Sequence, residues 1–324
     1  MQALQPISIE DIEQARRRLH GKVLRTPLLR FRGEYRGAEI FLKLENLQPI
    51  GSFKLRGAAN AMLMADEGLL EGGVYTASAG NMAQGVAYQA RRMGVECKVL
   101  VPEHAPQTKC EAVERLGGEV IKISFDEWWN VIVEHGHPDM RGLFLHPVSD
   151  PAVMAGNATI GLEILEDLPD VEAVIIPFGG GGLSCGIASA LRARRPRVRI
   201  FAAEVETAAP LRASLQRGEA SSIDYRPSFV DGIGGKSVLG EMWPLARRLL
   251  DGSLVVSLEE TAGALRLLVQ RSRVIAEGAG AASLAAALSG KAGRGRIVCV
   301  ISGGNIDIPR LVAVLQGRPA QEIP

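Results

Sequence analysis

An excess of charge of one sign is missing from this sequence. Its 37 Lys and Arg residues meet 36 Asp and Glu, for a formal net charge of +1. Nucleic-acid binding needs a clustered basic surface. The one basic run, residues 192–199, reads as a solvated helix end and loop, so no nucleic-acid partner is expected. Cysteine is scarce as well. Cys97, Cys110, Cys185 and Cys299 form no CxxC pair, which argues against a zinc site or a redox dithiol and leaves buried free thiols in a reducing cytosol. No apolar run reaches the roughly 18 residues of a membrane span. The N-terminus MQALQPISIEDIEQARRRL is too polar for a signal peptide. The expected location is therefore cytoplasmic, and the Asn157-Ala158-Thr159 sequon is a chance match. None of His20, His104, His135, His137 and His146 has metal spacing with a partner, so they read as structural or surface residues. The Trp128–Trp129 pair reads as packing. Solenoid repeats, low-complexity tracts and long polar linkers are absent too.

What is present is an ordinary globular composition, 47% hydrophobic and 23% charged over 324 residues, which favours two domains. Ser8 is a plausible N-cap, with Asp11 in the acidic slot of an imperfect capping box. EIFLKLE alternates as a half-buried strand does; GVYTAS and CKVLVP read as buried strands. Between them NMAQGVAYQARRMG fits a helix ending at Gly94. TKCEAVERLGG fits a helix, followed by the strand EVIKIS. Next come AVIIPFGGGG, a helix after Leu183, the strand RVRIFAAE and, near the end, the strand RIVCVISGGN. Strands alternating with helices predict an α/β fold built on parallel sheets, with any two domains closely joined.

Four features carry chemistry. GGGG at 179–182 follows a buried strand and opens an apolar helix. Such a loop lets backbone N–H groups converge on an anion, and the helix N-terminus adds partial positive charge, so a phosphate is the natural guest. A nicotinamide or flavin site is an open alternative: Gly179-x-Gly181-x-x-Ser184 nearly matches the dinucleotide pattern, and Glu204 ends the next strand. GGKS at 234–237 imitates a Walker A ending, but Val230 stands where its first glycine belongs. SAGN (78–81) and SGGN (302–305) are further glycine turns after strands. Lys54, in GSFKLRGA, sits among apolar residues although a buried ammonium is costly without a partner. Together these suggest a pocket at the C-terminal ends of strands.

ENLQPIGSFKLRGA, SAGNMAQGVA, PFGGGGL and ISGGN resemble, in that order, the four motif blocks of the fold-type II pyridoxal-phosphate enzymes, with the threonine/serine dehydratase and serine racemase branch nearest. The likeness runs from about residue 8 to about residue 312. It implies a tryptophan synthase β-like architecture of two domains, each with a mainly parallel twisted sheet flanked by helices. Residues 1–45 and 147–324 would form the large cofactor domain and 46–146 the small one, with Lys54 near their interface. It implies that Lys54 carries pyridoxal 5'-phosphate as a Schiff base and later acts as base. Phe53 would pack on the pyridine ring. Gly179, Gly180, Gly181, Gly182 and Leu183 would hold the phosphate, and Asn81 the ring hydroxyl. Gly232 would line the ring, Glu277 would lie near it, and Ser302 would face the pyridine nitrogen. Ser78, Ala79, Gly80, Asn81 and Met82 would receive the substrate carboxylate.

The implied activity is β-elimination from a β-hydroxy amino acid such as L-threonine or L-serine, giving a 2-oxo acid and ammonia, in a homodimer. Alternatives are a racemase or a dehydratase for a bulkier or modified substrate. A nicotinamide oxidoreductase and a non-catalytic interaction protein belong to other classes. Two departures from the family pattern matter. Ala79 replaces a serine that serves racemases as the second acid/base, which predicts a poor racemase. Met82 replaces a histidine, pointing either to a different β-substituent or merely to a core-facing residue. Glu204 and Ala208 match two positions of a divalent-cation site, but Pro210 stands at the third, so they are weak candidates: magnesium is not expected, and a monovalent cation or none stays open. Glu277 also has a simpler account, as a carboxylate at a helix N-terminus. With only about a dozen residues after Val312, the resemblance implies kinetics without feedback inhibition.

Overall fold

The computed structural model describes residues 4–33, 35 and 37–323. Among the described residues, ten strands form two sheets: β1 (Leu28–Arg30), β2 (Ala38–Lys43), β3 (Val74–Ala77), β4 (Cys97–Pro102), β5 (Glu119–Ile123), β6 (Leu143–Phe144), β7 (Ala173–Pro177), β8 (Arg199–Val205), β9 (Gly252–Val256) and β10 (Gly295–Val300). The larger sheet runs β1-β2-β10-β7-β8-β9, and the smaller runs β5-β4-β3-β6. Every pairing is parallel except β1 with β2.

Helices cover both faces of the larger sheet, which is why its strands are continuous apolar runs. Val174, Ile175, Ile176, Ile297 and Val298 have no exposed surface. The alternation expected of EIFLKLE holds at its start, where Glu39 and Phe41 keep some exposure between the buried Ile40 and Leu42. Even Lys43 is fully buried, because its ammonium donates to Glu163 at 2.6 Å and to the Thr26 carbonyl at 2.6 Å.

Local signals set several helix ends. The Ser8 side chain accepts from the Asp11 N–H and starts the helix Ile9–Leu19. Asn81–Met93 ends at Gly94, whose φ of +68° is the left-handed conformation glycine tolerates. The helix after the four glycines begins at Gly182, one residue before Leu183. Helix Pro151–Asp167 had no counterpart in the sequence reading. It is buried nearly all round, so it lacks the polar stripe that marks an amphipathic helix. Its start was nonetheless marked, since Asp150 caps it and Pro151 opens it. It packs on helices Lys54–Met64 and Gly182–Arg194. A Cβ on Gly156 would come within 2.4 Å of the Arg56 carbonyl, so only glycine allows this approach. Asn157 lies on the same helix, 1% exposed, which seals the sequon. All four cysteines are free and buried. Among the described residues, no helix is long and apolar enough to cross a membrane.

Candidate active site

The ends of β3, β7 and β10 converge on a cleft of about 410 Å³. Phe53, Lys54, Ser78, Ala79, Gly80, Asn81, Met82, Gly179, Gly180, Gly181, Gly182, Leu183, Gly232, Glu277 and Ser302 all line it. Glu204 and Ala208 do not. A wider hollow of about 550 Å³ lies at residues 169–172 and 195–199, by the opposite ends of β7 and β8. It contains none of the glycine turns, so the smaller cleft is the candidate.

Lys54 opens the helix Lys54–Met64, and its ammonium donates to the Pro147 carbonyl at 2.7 Å. Burial pulls its pKa down to about 8, against the attraction of the Glu277 carboxylate. Glu277 is pushed up to about 7, chiefly by burial and further by Asp231, while Asn81, Lys109 and Lys54 favour its anion. It is the N-cap residue of helix Gly278–Leu288, yet its side chain makes no cap bond. Its oxygens instead accept from Asn81 Nδ2 at 2.9 and 3.2 Å. The helix-terminus account therefore explains its place in the chain but not the direction of its carboxylate.

Helices Gly182–Arg194 and Asn81–Met93 both open on the cleft from a glycine N-cap, without a side-chain cap. In the glycine loop, Gly181 has a φ of +101°. Cβ atoms on Gly180 and Gly182 would meet Val148 at 2.5 and 2.4 Å. The loop thus lies close against Val148, presenting backbone to the cleft. An uncapped helix end behind such a loop suits a phosphate dianion. A buried amine with a lowered pKa suits an aldehyde. The donor set therefore fits pyridoxal phosphate.

The family model described as "Pyridoxal-phosphate dependent enzyme" matches residues 20–303. The chain belongs to this family. The L-threonine ammonia-lyase of Thermotoga maritima is 41% identical over 307 residues, covering 93% of this chain and 76% of that protein. Among solved structures, maize serine racemase superposes with a TM-score of 0.88 at 30% identity, covering 97% of this chain and 98% of its own. The T.th. threonine deaminase gives a TM-score of 0.85 at 34% identity, covering 93% and 99%. Membership in the family excludes the nicotinamide alternative left open by the glycine spacing and makes pyridoxal phosphate the cofactor.

Several residues of the site had gone unnoticed. Lys109 and Asp231 pair at 2.9 Å on the cleft wall, and Arg310 bonds the same Asp231 oxygen at 2.9 Å. Asp231 directly precedes Gly232, so the VDGIGG segment was its available signal. His104 and Trp128, read as structural and packing residues, also line the cleft, as does Phe125. His146 is buried, its pKa lowered to about 4 mainly by burial and then by His135. Its Nδ1 accepts from the Val148 and Ser149 N–H groups, shaping the turn that carries Pro147. Met82 is 1% exposed and packs in the core under the smaller sheet with Ala83, Val86 and Met62. This favours its core-facing reading. Glu204 uses its oxygens on the N–H groups of Leu211 and Arg212 and on the Ser253 hydroxyl.

Beneath the site lies a buried ion cluster. Arg56, two residues after Lys54, makes paired bonds of 2.8 and 2.8 Å to Glu45 and of 2.6 and 2.9 Å to Glu163. Lys43 adds its bond to Glu163, so two cations face two anions out of water.

Proposed function

We propose that this chain eliminates water from L-threonine or L-serine, releasing a 2-oxo acid and ammonia. The reading rests on one observation: an amine with a pKa near 8 shares a cleft with an uncapped glycine-loop helix end. Relatives 36–42% identical are named threonine ammonia-lyase or dehydratase, which supports the substrate class.

Pyridoxal phosphate, when bound, supplies the electron sink that makes the substrate α-proton acidic. Gly179 to Leu183 would hold its phosphate with backbone N–H groups, Phe53 its ring face, Asn81 its hydroxyl and Ser302 its ring nitrogen. Gly232 and Glu277 would complete the ring's surroundings. The uncapped turn from Ser78 to Met82 would take the substrate carboxylate, fixing the amino acid against Lys54. Lys54, neutral in an appreciable fraction near pH 8, would accept the α-proton at Nζ. The β-hydroxyl would then leave as water, taking up the proton from the Lys54 ammonium, and one water is consumed again when the released enamine hydrolyses to the 2-oxo acid and ammonia.

Serine racemase is a structural neighbour, but Ala79 offers no exchangeable proton for a second face. Elimination is therefore the favoured outcome. We further propose residues 46–146 as a small domain beside a large one of residues 1–45 and 147–324, a homodimer, and a cytoplasmic location. The smaller sheet, contained within 74–144, supports the first of these, and the four free buried thiols support the last. The test is an ammonia-release panel of β-hydroxy amino acids on purified yellow protein, with borohydride trapping of the cofactor on Lys54. A colourless protein, or one releasing no ammonia from any of them, would sink the reading.

A further inference from the structure

The loops around Lys54 and Ser302 are stitched together. The Phe53 N–H donates to the Ser302 carbonyl at 3.0 Å, and the Gly304 N–H to the Gly51 carbonyl at 2.8 Å. Asn305 adds a side-chain stitch, donating from Nδ2 to the Ile50 carbonyl at 2.9 Å. The same Nδ2 donates to Asn81 Oδ1 at 2.7 Å. Asn81 then donates from its own Nδ2 to both Glu277 oxygens. The circuit closes through the Glu277 N–H, which donates to the Gly303 carbonyl at 3.0 Å. Gly51 makes room for it, since a Cβ there would lie 2.5 Å from Asn305 Oδ1.

An amide side chain can face either way, and its partners decide which. Turned over, Asn81 would set its oxygen against a carboxylate and its NH₂ against the NH₂ of Asn305. Asn305 cannot turn to accommodate it, because the Ile50 carbonyl only accepts. We propose that Asn305 is a positioning residue for the lysine site: it fixes which end of the Asn81 amide faces Glu277, and so fixes the charge beside Lys54. The charged groups around Glu277 are Lys54, Lys109 and Asp231. The first two favour its anion and the third opposes it, so the Asn81 donors weigh in the balance. This inference rests on the reading of Lys54 as the reactive amine.

The experiment measures the pH at which Lys54 becomes half reactive toward an amine-specific label, by mass spectrometry of the full-length protein stripped of cofactor. Asn305→Ala is expected to lower that midpoint by about half a pH unit, since Glu277 loses its anionic form and stops raising Lys54. In an Asn81→Ala background, Asn305→Ala is expected to add nothing, because its effect passes through Asn81. In the holoenzyme, kcat is expected to fall several-fold with KM less affected. An unchanged midpoint in Asn305→Ala, even with a lower melting temperature, would reduce the residue to a loop stitch and overturn the proposal. So would equal shifts with and without Asn81. The label reports on Asn305 whatever the substrate, whereas the ammonia panel alone decides the elimination reading.

Discussion

Lys54 and Arg56 are two residues apart on one helix, and the protein treats their charges in opposite ways. Arg56 is matched bond for bond by Glu45 and Glu163, and its pKa is raised, burial being outweighed by the two carboxylates. Burial alone would lift Glu45, but Arg56 overrides it and leaves its pKa lowered. Its contribution to stability is complete above the usual carboxylate pKa and is lost as pH falls through the depressed one. Around Lys54 the balance is reversed. Both Lys54 and Glu277 are shifted toward neutrality, to about 8 and about 7. Above about pH 7 the folded state must hold Glu277 as a buried anion, a cost relieved as pH falls toward 4.5. Below about pH 8 it must hold a buried ammonium on Lys54, a cost relieved as pH rises toward 10.5. One cluster holds the helix in place, while the other keeps reactive groups poorly solvated where chemistry can use them.

The contrast can be broken at several points. Lys54→Ala should remove the base, lowering ammonia release by about 10⁴-fold and leaving nothing for borohydride to trap. Arg56→Met should act on stability instead. It leaves Glu45 and Glu163 buried without their partner, costing about 3–5 kcal/mol in denaturant unfolding. That difference from the parent should shrink in acid, as Glu45 protonates and the parent loses what its lowered pKa contributes. Glu277→Gln sharpens the electrostatic point. With no anion opposite, Lys54 should titrate below 8, read as an earlier midpoint in amine labelling. Ala79→Ser should have the smallest effect on elimination, less than about threefold, while adding measurable interconversion of L- and D-serine by restoring a proton donor. Absence of racemisation there would mean that more than this hydroxyl is missing.

The reactive cluster was legible in the sequence because its parts are short contiguous motifs, three of them directly after a strand. SAGN and SGGN are weak signals singly but specific together with GSFK and GGGG, and the α/β alternation says such turns gather at the C-terminal ends of strands. The stabilising cluster was not legible. Glu45 and Arg56 both stand in ENLQPIGSFKLRGA, but Lys43 and Glu163 lie outside it, and the four look like separate solvated charges until helix Pro151–Asp167 is in place. That helix was itself hidden by being buried on all sides. Met82 shows the converse. A departure from a family pattern drew attention, yet its side chain is core. Asn305 was quoted within SGGN and passed over, because the partners of an amide depend on which loops come together.

The pairing of β2 with β10 sets a timetable for synthesis. Ala38 sits beside Gly295 and Lys43 beside Val300. A ribosome adding roughly 5–20 residues per second needs on the order of 10–50 s to get from one strand to the other. Throughout that interval one long edge of β2 has no strand beside it, and the Lys54 loop lacks the Ser302 carbonyl that anchors it. An unpaired apolar edge is a template for misassembly, so the nascent chain is most at risk of aggregating just before its last strand emerges. The lysine is thus translated early and placed late, and a reactive amine is not presented in its working geometry until the rest of the enzyme exists to restrain it.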